Sequence, residues 1–186
     1  MISLMNVKDD PTEEAMLIEA AQQNPAAFET LYRHWVIPLY HYVYVRVGNT
    51  ADAEDITSQV MLSAYQGLPR YQHRGFFAGW LFTIARNQTW RWLAREKREV
   101  PFTDVPISNP EADLANSISK MQEIKRLREI VFALPENERE LIYLRYVACL
   151  RFADMGVVLN RSEAAIKKAL YRLQRRMYSL LEDSNE

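Results

Sequence analysis

The chain has one cysteine, Cys149, in 186 residues. A single thiol can form neither an intrachain disulfide nor a multi-cysteine metal site. It sits in the apolar run 147–150 and reads as a core residue, with no histidine near it in sequence to make it a nucleophile. Glycine is scarce at 5 and proline numbers 8, a composition that argues against disorder. An excess of one charge is missing too: 23 Lys and Arg face 24 Asp and Glu, a formal net charge of −1. No global field draws in nucleic acid, so any attraction must come from local patches. No apolar run approaches the length of a membrane span, and the first residues lack the pattern of a signal peptide. The expectation is a soluble protein of a reducing cytoplasm, with no membrane insertion. The histidines, His34, His41 and His73, are scattered and read as surface or satisfied core residues.

What is present is helical periodicity. Phe152, Met155, Gly156 and Leu159 mark one face of a short helix, and Asn160 and Arg161 interrupt it. Ser162, a good N-cap, opens a second helix with Ile166, Leu170, Leu173, Met177 and Leu180 on one face at spacings of three and four. Gly156 allows close approach, and Asn160 tolerates a left-handed turn. Two helices joined by a tight turn, the second long and basic, form the helix-turn-helix pattern. Arg161, Lys167, Lys168, Arg172, Arg175 and Arg176 lie off the apolar stripe, where phosphates can meet them. An ordinary helical hairpin with a solvated basic face would look the same from this segment alone.

The preceding chain predicts more helices. Asp10-Pro11-Thr12-Glu13 carries an N-cap, a proline suited to the first turn and a capping-box glutamate, and starts a helix through about Gln23. Asn24-Pro25 opens a second, with Pro38 bending it. Tyr40, Tyr42 and Tyr44 alternate as in a strand, but no second strand pattern exists to pair with, and helix is preferred. Residues 51–68 form a third helix, with Ile56, Val60, Ala64 and Leu68 in one row. Asp52, Glu54 and Asp55 crowd its first turn, where they complement the helix dipole. The loop 68–75 is polar, basic and aromatic. The helix at 76–98 then interleaves Arg86, Asn87, Trp90, Arg91, Trp92 and Arg95, a mixture suited to single-stranded nucleic acid, where rings stack on bases and cations follow phosphates. Trp80 and Trp92 also read as core, with Trp90 covering a surface, and the core reading is expected to hold for at least Trp80. Pro101, Pro106 and Pro110 mark an irregular stretch, after which helical pattern resumes at Ile118 and restarts at Pro135. The fold expected is all-α: two helical domains, 1–99 and 118–186, joined by a flexible linker at 100–117.

Several stretches taken together resemble one family. They are AFETLYRHW (27–35), ADAEDITSQVMLSAYQGLPRY (51–71), FAGWLFTIARN (77–87), ALPENERELIYLRYV (133–147) and FADMGVVLNRSEAAIKKALYRL (152–173). In this order, around a proline-rich linker, they resemble an extracytoplasmic-function (group IV) sigma factor of the sigma-70 family, a bacterial transcription initiation factor. The resemblance implies that 1–99 is region 2-like, binding core RNA polymerase and the minus-ten element of promoter DNA. It implies that 118–186 is a region 4-like helix-turn-helix domain binding the minus-thirty-five element. It implies no enzymatic activity, no cofactor and no small-molecule substrate, and it leaves room for a separate anti-sigma protein that nothing in the sequence requires.

By the same resemblance, Asp52, Glu54, Asp55 and Gln59 become candidates for docking on polymerase. Arg70, Tyr71, Gln72, His73 and Arg74, with Arg86, Asn87, Trp90 and Arg91, become candidates for minus-ten DNA, where a base taken out of the stack must be recaptured by the protein. Arg161, Ser162, Ala164, Lys167, Lys168, Tyr171 and Arg172 become candidates for the minus-thirty-five duplex. The chain departs from the family habit at Asn160, Ala165, Ala169 and Arg91, so the promoter sequence is not readable by analogy. No long extra C-terminal module is expected. Two other readings compete. A free-standing helix-turn-helix regulator explains the C-terminal half but leaves the aromatic-basic segment 71–92 without a task. A metalloenzyme built on Asp52, Glu54 and Asp55 lacks further ligands.

Overall fold

The structure, a computed structural model, describes residues 11–96 and 114–182, with side chains described for 13–96 and 124–181. The described elements are helical: α1 (Pro11–Gln23), α2 (Phe28–Val47), α3 (Thr50–Gly67), α4 (Phe77–Glu96), α5 (Leu114–Ala133), α6 (Glu136–Ile142), α7 (Phe152–Leu159) and α8 (Glu163–Glu182). Short 3₁₀ turns precede α2 and follow α3, and a π-turn at Tyr143–Val147 extends α6. The Asp10 cap and the proline-rich linker at 100–113 lie outside the described residues. α5 begins at Leu114, so helix takes the last residues of the stretch expected to be linker.

Local chemistry explains the boundaries. Asn24 caps the turn into α2, its side-chain oxygen accepting the Ala26 N–H at 3.0 Å. Gly48 ends α2 in the left-handed region at φ 77°, which glycine adopts without a Cβ penalty. Asn49 and Asp52 cap α3 reciprocally: Asn49 Oδ1 accepts the Asp52 N–H at 2.9 Å, and Asn49 Nδ2 donates to Asp52 Oδ2 at 2.5 Å. The tyrosines that alternate as in a strand lie on α2, where Tyr42 is fully buried and Tyr40 stacks on Tyr44.

The first module packs α2, α3 and α4 around Leu31, Trp35, Leu39, Tyr42, Val60, Leu81 and Phe82, with α1 laid across them. The row Ile56, Val60, Ala64 and Leu68 is buried as its spacing predicts. Each large apolar side chain so buried contributes about 1.5–3 kcal/mol. Gln22 ties α1 to the chain after α3, donating to Leu68 O at 2.9 Å and Tyr71 O at 2.7 Å. The second module buries Leu134, Leu141, Leu144, Leu150, Met155, Ile166, Leu170 and Leu173.

Cys149 is not a core residue: it is exposed, in the left-handed region at φ 54°. The π-turn displaces the chain so that Ala148 and Leu150 point inward while Cys149 turns out. The two modules also touch. α4 runs against α7, and α2 meets the α6 segment.

Candidate nucleic-acid and polymerase surfaces

The helix-turn-helix is built by local bonds. Asn160 ends α7 at φ 50°, ψ 50°, and the Arg161 N–H donates to Gly156 O at 2.9 Å. A Cβ on Gly156 would stand 2.7 Å from the Arg161 carbonyl oxygen, so the turn requires a glycine there. Ser162 Oγ accepts the Ala165 N–H at 3.3 Å, the cap its position predicts. Ile166, Leu170 and Leu173 then bury one face of α8, and the opposite face is solvent. Arg161, Ser162, Ala164, Lys167, Lys168, Tyr171 and Arg172 are all exposed. Lys167 Nζ lies 2.6 Å from Glu163 Oε1 and 5.5 Å from the Phe152 ring centre. Such an exposed pair is weak and yields readily to a phosphate or a base edge. Arg176 is held by Glu138 of α6, with Nη1 donating to Oε1 at 3.1 Å, and so braces the module. Ala169 is buried, so this departure from the family habit faces the core rather than a groove.

The loop after α3 divides into anchored and free residues. Tyr71 is half-buried, its ring 4.6 Å from Trp80 and 5.6 Å from Phe77. Burial, then the nearby Glu14 carboxylate, push its phenol up to about 12, against the Arg74 backbone N–H. Tyr71 therefore stays a neutral hydrogen-bonding ring. Burial holds the His73 imidazole below its ordinary value. Arg70, Gln72 and Arg74 are exposed, Arg74 donating to Gln72 Oε1 at 3.3 Å. On α4, Asn87 and Arg91 lie one turn apart and face solvent. Arg86 and Trp90 form a second, different set: the Arg86 guanidinium stands 5.6 Å over the Trp90 ring and 3.6 Å from Glu140 of the second module. Trp80 and Trp92 pack against the core.

On α3, Glu54, Asp55 and Gln59 are exposed and Asp52 is partly covered. Asp52 is engaged in the helix cap, and Asp55 Oδ2 accepts from Gln59 Nε2 at 2.7 Å. Glu54 is the acid of this set whose carboxylate is most open to a partner. Leu62 and Tyr65 extend the same helix as exposed apolar side chains. Among the described residues no group of three or more His, Cys, Asp or Glu stands close enough to hold a metal ion. No helix there is long and apolar enough to cross a membrane.

Sequence reasoning missed the residues that join the modules. Tyr42 Oη donates to Glu140 Oε1 at 2.7 Å. Arg46 Nη2 lies 2.9 Å from Glu136 Oε1, and its Nη1 pairs with Glu140. At the other end, Arg151 donates to Gly75 O at 2.9 Å and to Asp154 Oδ2 at 2.7 Å, and the Gly79 N–H reaches Asp154 Oδ1 at 3.3 Å. One signal was available: Arg46 is the only Lys, Arg, Asp or Glu in the run 39–47.

The fold and its surfaces define a class: a helix-turn-helix duplex reader carried beside a helical module with an aromatic-basic face. Residues 31–99 match the family model Sigma-70 region 2, and residues 124–177 match Sigma-70, region 4. The chain belongs to the sigma-70 family, in its extracytoplasmic-function branch of RNA polymerase sigma factors. It is similar to the ECF RNA polymerase sigma factor BldN of Streptomyces coelicolor, at 34% identity over 176 residues, covering 90% of this chain and 65% of that protein. It is similar to the ECF RNA polymerase sigma factor SigM of Bacillus subtilis, at 28% identity over 153 residues, covering 82% of this chain and 93% of that one. The chain thus spans just under two thirds of the Streptomyces relative and nearly all of the Bacillus one. The solved structure of CnrH in complex with the cytosolic domain of CnrY shares the fold, with a TM-score of 0.66 at 21% identity, covering 90% of this chain and 96% of that one. The match over 31–99 gives the first half a place that a free-standing helix-turn-helix regulator would not.

Proposed function

We propose that this chain is a group IV sigma factor that binds core RNA polymerase, directs it to a promoter and helps to open the duplex. It acts in the cytoplasm as an initiation factor and not as a catalyst, with no cofactor. The domain map is 1–99 for polymerase and the minus-ten element and 118–186 for the minus-thirty-five element. The exposed acids of α3, Glu54 foremost, dock on polymerase with Gln59. The loop residues Arg70, Gln72 and Arg74 follow the strand, and Asn87 and Arg91 meet an unstacked base near Tyr71. On α8, Lys167 lies near the helix N-terminus, the end that reaches base edges, and Lys168 and Arg172 contact the backbone. An anti-sigma protein is a further partner, since the relative CnrH is found in complex with the cytosolic domain of CnrY.

The observation that carries this reading is the solvent-facing array of α8 and the turn before it: five candidate side chains on the helix, with Arg161 and Ser162 ahead of them, are exposed opposite a fully buried Ile166–Leu170–Leu173 stripe. The test is in vitro transcription with bacterial core polymerase, with and without the chain, on a library of promoters. Promoter-specific transcripts that depend on the chain are expected. Tight, specific binding to duplex DNA with no effect on core polymerase would instead identify a free-standing regulator.

A further inference from the structure

Glu163 is the first residue of α8 and the acid of its first turn. The helix cap does not need it, since Ser162 Oγ already accepts the Ala165 N–H. Its carboxylate goes instead to Lys167, one turn on. Glu163 Oε1 lies 2.6 Å from Lys167 Nζ, and the two side chains are 46% and 45% exposed. Lys167 is steered from a second side as well. Its Nζ stands 5.5 Å from the centre of the Phe152 ring, and that ring also lies 4.6 Å from the Arg145 guanidinium and 6.3 Å from the Tyr171 ring. Arg145 is anchored in turn, donating to Leu150 O at 2.7 Å. A surface lysine on a flexible four-carbon stem ordinarily samples many rotamers. Here the ammonium is held by a carboxylate and a ring, on a helix whose facing is set by the buried Ile166 and Leu170.

The pair presents a donor beside an acceptor, 2.6 Å apart, at the helix end that reaches base edges. The major-groove edge of a G·C pair presents the reverse: guanine O6, an acceptor, beside the cytosine N4 amino group, a donor. Those two atoms are hydrogen-bonded to each other and so lie about 2.9 Å apart. Spacing and polarity match. Lys167 Nζ can donate to O6 while Glu163 Oε1 accepts from N4, and the ion pair stays closed. Both partners have the capacity, because an ammonium carries three N–H groups and a carboxylate oxygen accepts more than one bond. An A·T pair also sets a donor beside an acceptor. Guanine, however, gives the ammonium a second acceptor at N7, whereas thymine sets a methyl group next to O4. The lysine also neutralises the carboxylate, which then approaches DNA without the repulsion of a lone negative charge.

We propose that Glu163 is a specificity-determining residue, and that Glu163 and Lys167 together read one G·C pair of duplex DNA, the lysine on guanine and the glutamate on cytosine. This deepens the proposed function and rests on it for the placement of α8 in a major groove. An ion pair that only supports the helix carries no sequence preference. An acid kept only to complement the helix N-terminus is likewise replaceable without changing which bases are chosen.

The test uses the full chain in two arms: transcription with core polymerase from promoters randomised across the minus-thirty-five element, and capture of duplexes from a random pool by the chain alone. Wild type should favour G·C at one position by about tenfold. Glu163→Ala and Lys167→Ala, both with wild-type helicity, should each relax that same position and leave the others ranked as before. Base analogues in that one pair then assign the atoms. Replacing its cytosine by 2-pyrimidinone, which lacks the N4 amino group, should weaken wild type about fivefold and leave Glu163→Ala unaffected. Replacing its guanine by 7-deazaguanine, which lacks the N7 acceptor, should weaken wild type and Glu163→Ala but not Lys167→Ala. Unchanged preferences in Glu163→Ala, relaxation of different positions by the two variants, equal losses with 2-pyrimidinone in wild type and Glu163→Ala, or no G·C preference in either arm overturns the proposal. Absence of transcription with core polymerase, with the preference and its analogue dependence intact in the captured duplexes, would instead remove the initiation reading and leave the paired reader standing.

Discussion

Arg86 of α4 and the cations of α8, both helices of twenty residues, are treated in opposite ways. On α8 the cations at 167, 168 and 172 stand in solvent, as does Arg161 in the turn before it, and the near ion pair Lys167–Glu163 lies within one helix. On α4, Arg86 turns toward a carboxylate from the other module and shares it with Arg46 of α2. The difference separates cations left to solvent from one committed to a contact between the modules. Energetically the two classes of pair are far apart. An exposed pair of neighbours contributes a few tenths of a kcal/mol, whereas removing one member of a buried pair leaves a costly lone charge.

Arg46→Ala is the largest break of that comparison. It leaves the Glu140 carboxylate only the Arg86 guanidinium, 3.6 Å away, and the Tyr42 hydroxyl, a loss toward the lower end of the about 3–5 kcal/mol that breaking a buried pair costs. Urea unfolding should show a loss of up to about 3 kcal/mol, capped by the energy of docking, and Glu140→Leu added to it should restore most of the stability. Gly156→Ala acts next, within the second module. Its Cβ would press on a backbone oxygen that cannot swing away, and overpacking of this kind costs about 1–3 kcal/mol. Calorimetry should lower the transition of the second module and leave the first in place; an unchanged transition would contradict the geometry of the turn.

A smaller effect is expected at Glu14, buried against the joint between loop and α7. Burial raises its carboxyl above the ordinary value of 4.5, opposed by Arg151 and aided by Asp154. The folded state then holds the proton more tightly than the unfolded chain, so stability declines as pH climbs from 4.5 through the raised value. Glu14→Gln should therefore increase the Tm at pH 7.5, with the advantage gone at pH 4. The smallest stability effect belongs to Lys167→Ala, within about 0.5 kcal/mol of wild type. Its readout is specificity: the ranking of minus-thirty-five variants in transcription should change, and an intact ranking would move the recognition surface elsewhere on α8.

Much of this was readable from residues because it is local. Caps at Asn24 and Ser162, the left-handed turn at Asn160 and the buried rows of α3 and α8 all follow from interactions within a few positions, where periodicity and turn chemistry speak directly. Tyr40, Tyr42 and Tyr44 show the limit of that rule, since alternation alone argued for a strand and only the absence of a pairing partner favoured helix. Cys149 was misread because a π-turn shifts the facing of every residue after it, and no residue type announces such a turn. The modules' contact was hidden for a different reason. Tyr42 and Glu140 are 98 positions apart, and nothing in either segment names the other. A charge in an apolar helix says only that some partner exists. For the same reason Arg86 and Trp90 were grouped with Asn87 and Arg91, although the helix turns the two pairs to different neighbours.

The burial of Arg46 also governs how the molecule answers to ionic strength. At 0.1 M salt, charges in solvent are screened over about 10 Å, but mobile ions do not enter a closed, side-chain-packed contact. Contacts of α8 with a phosphate backbone release counterions and weaken steeply as salt rises. The two processes therefore separate along one axis. Between about 50 and 200 mM salt the grip of α8 on duplex should fall by orders of magnitude for several phosphate contacts, while the shape of the free chain stays constant. Salt alone loosens the grip on duplex and leaves the contact between the modules closed.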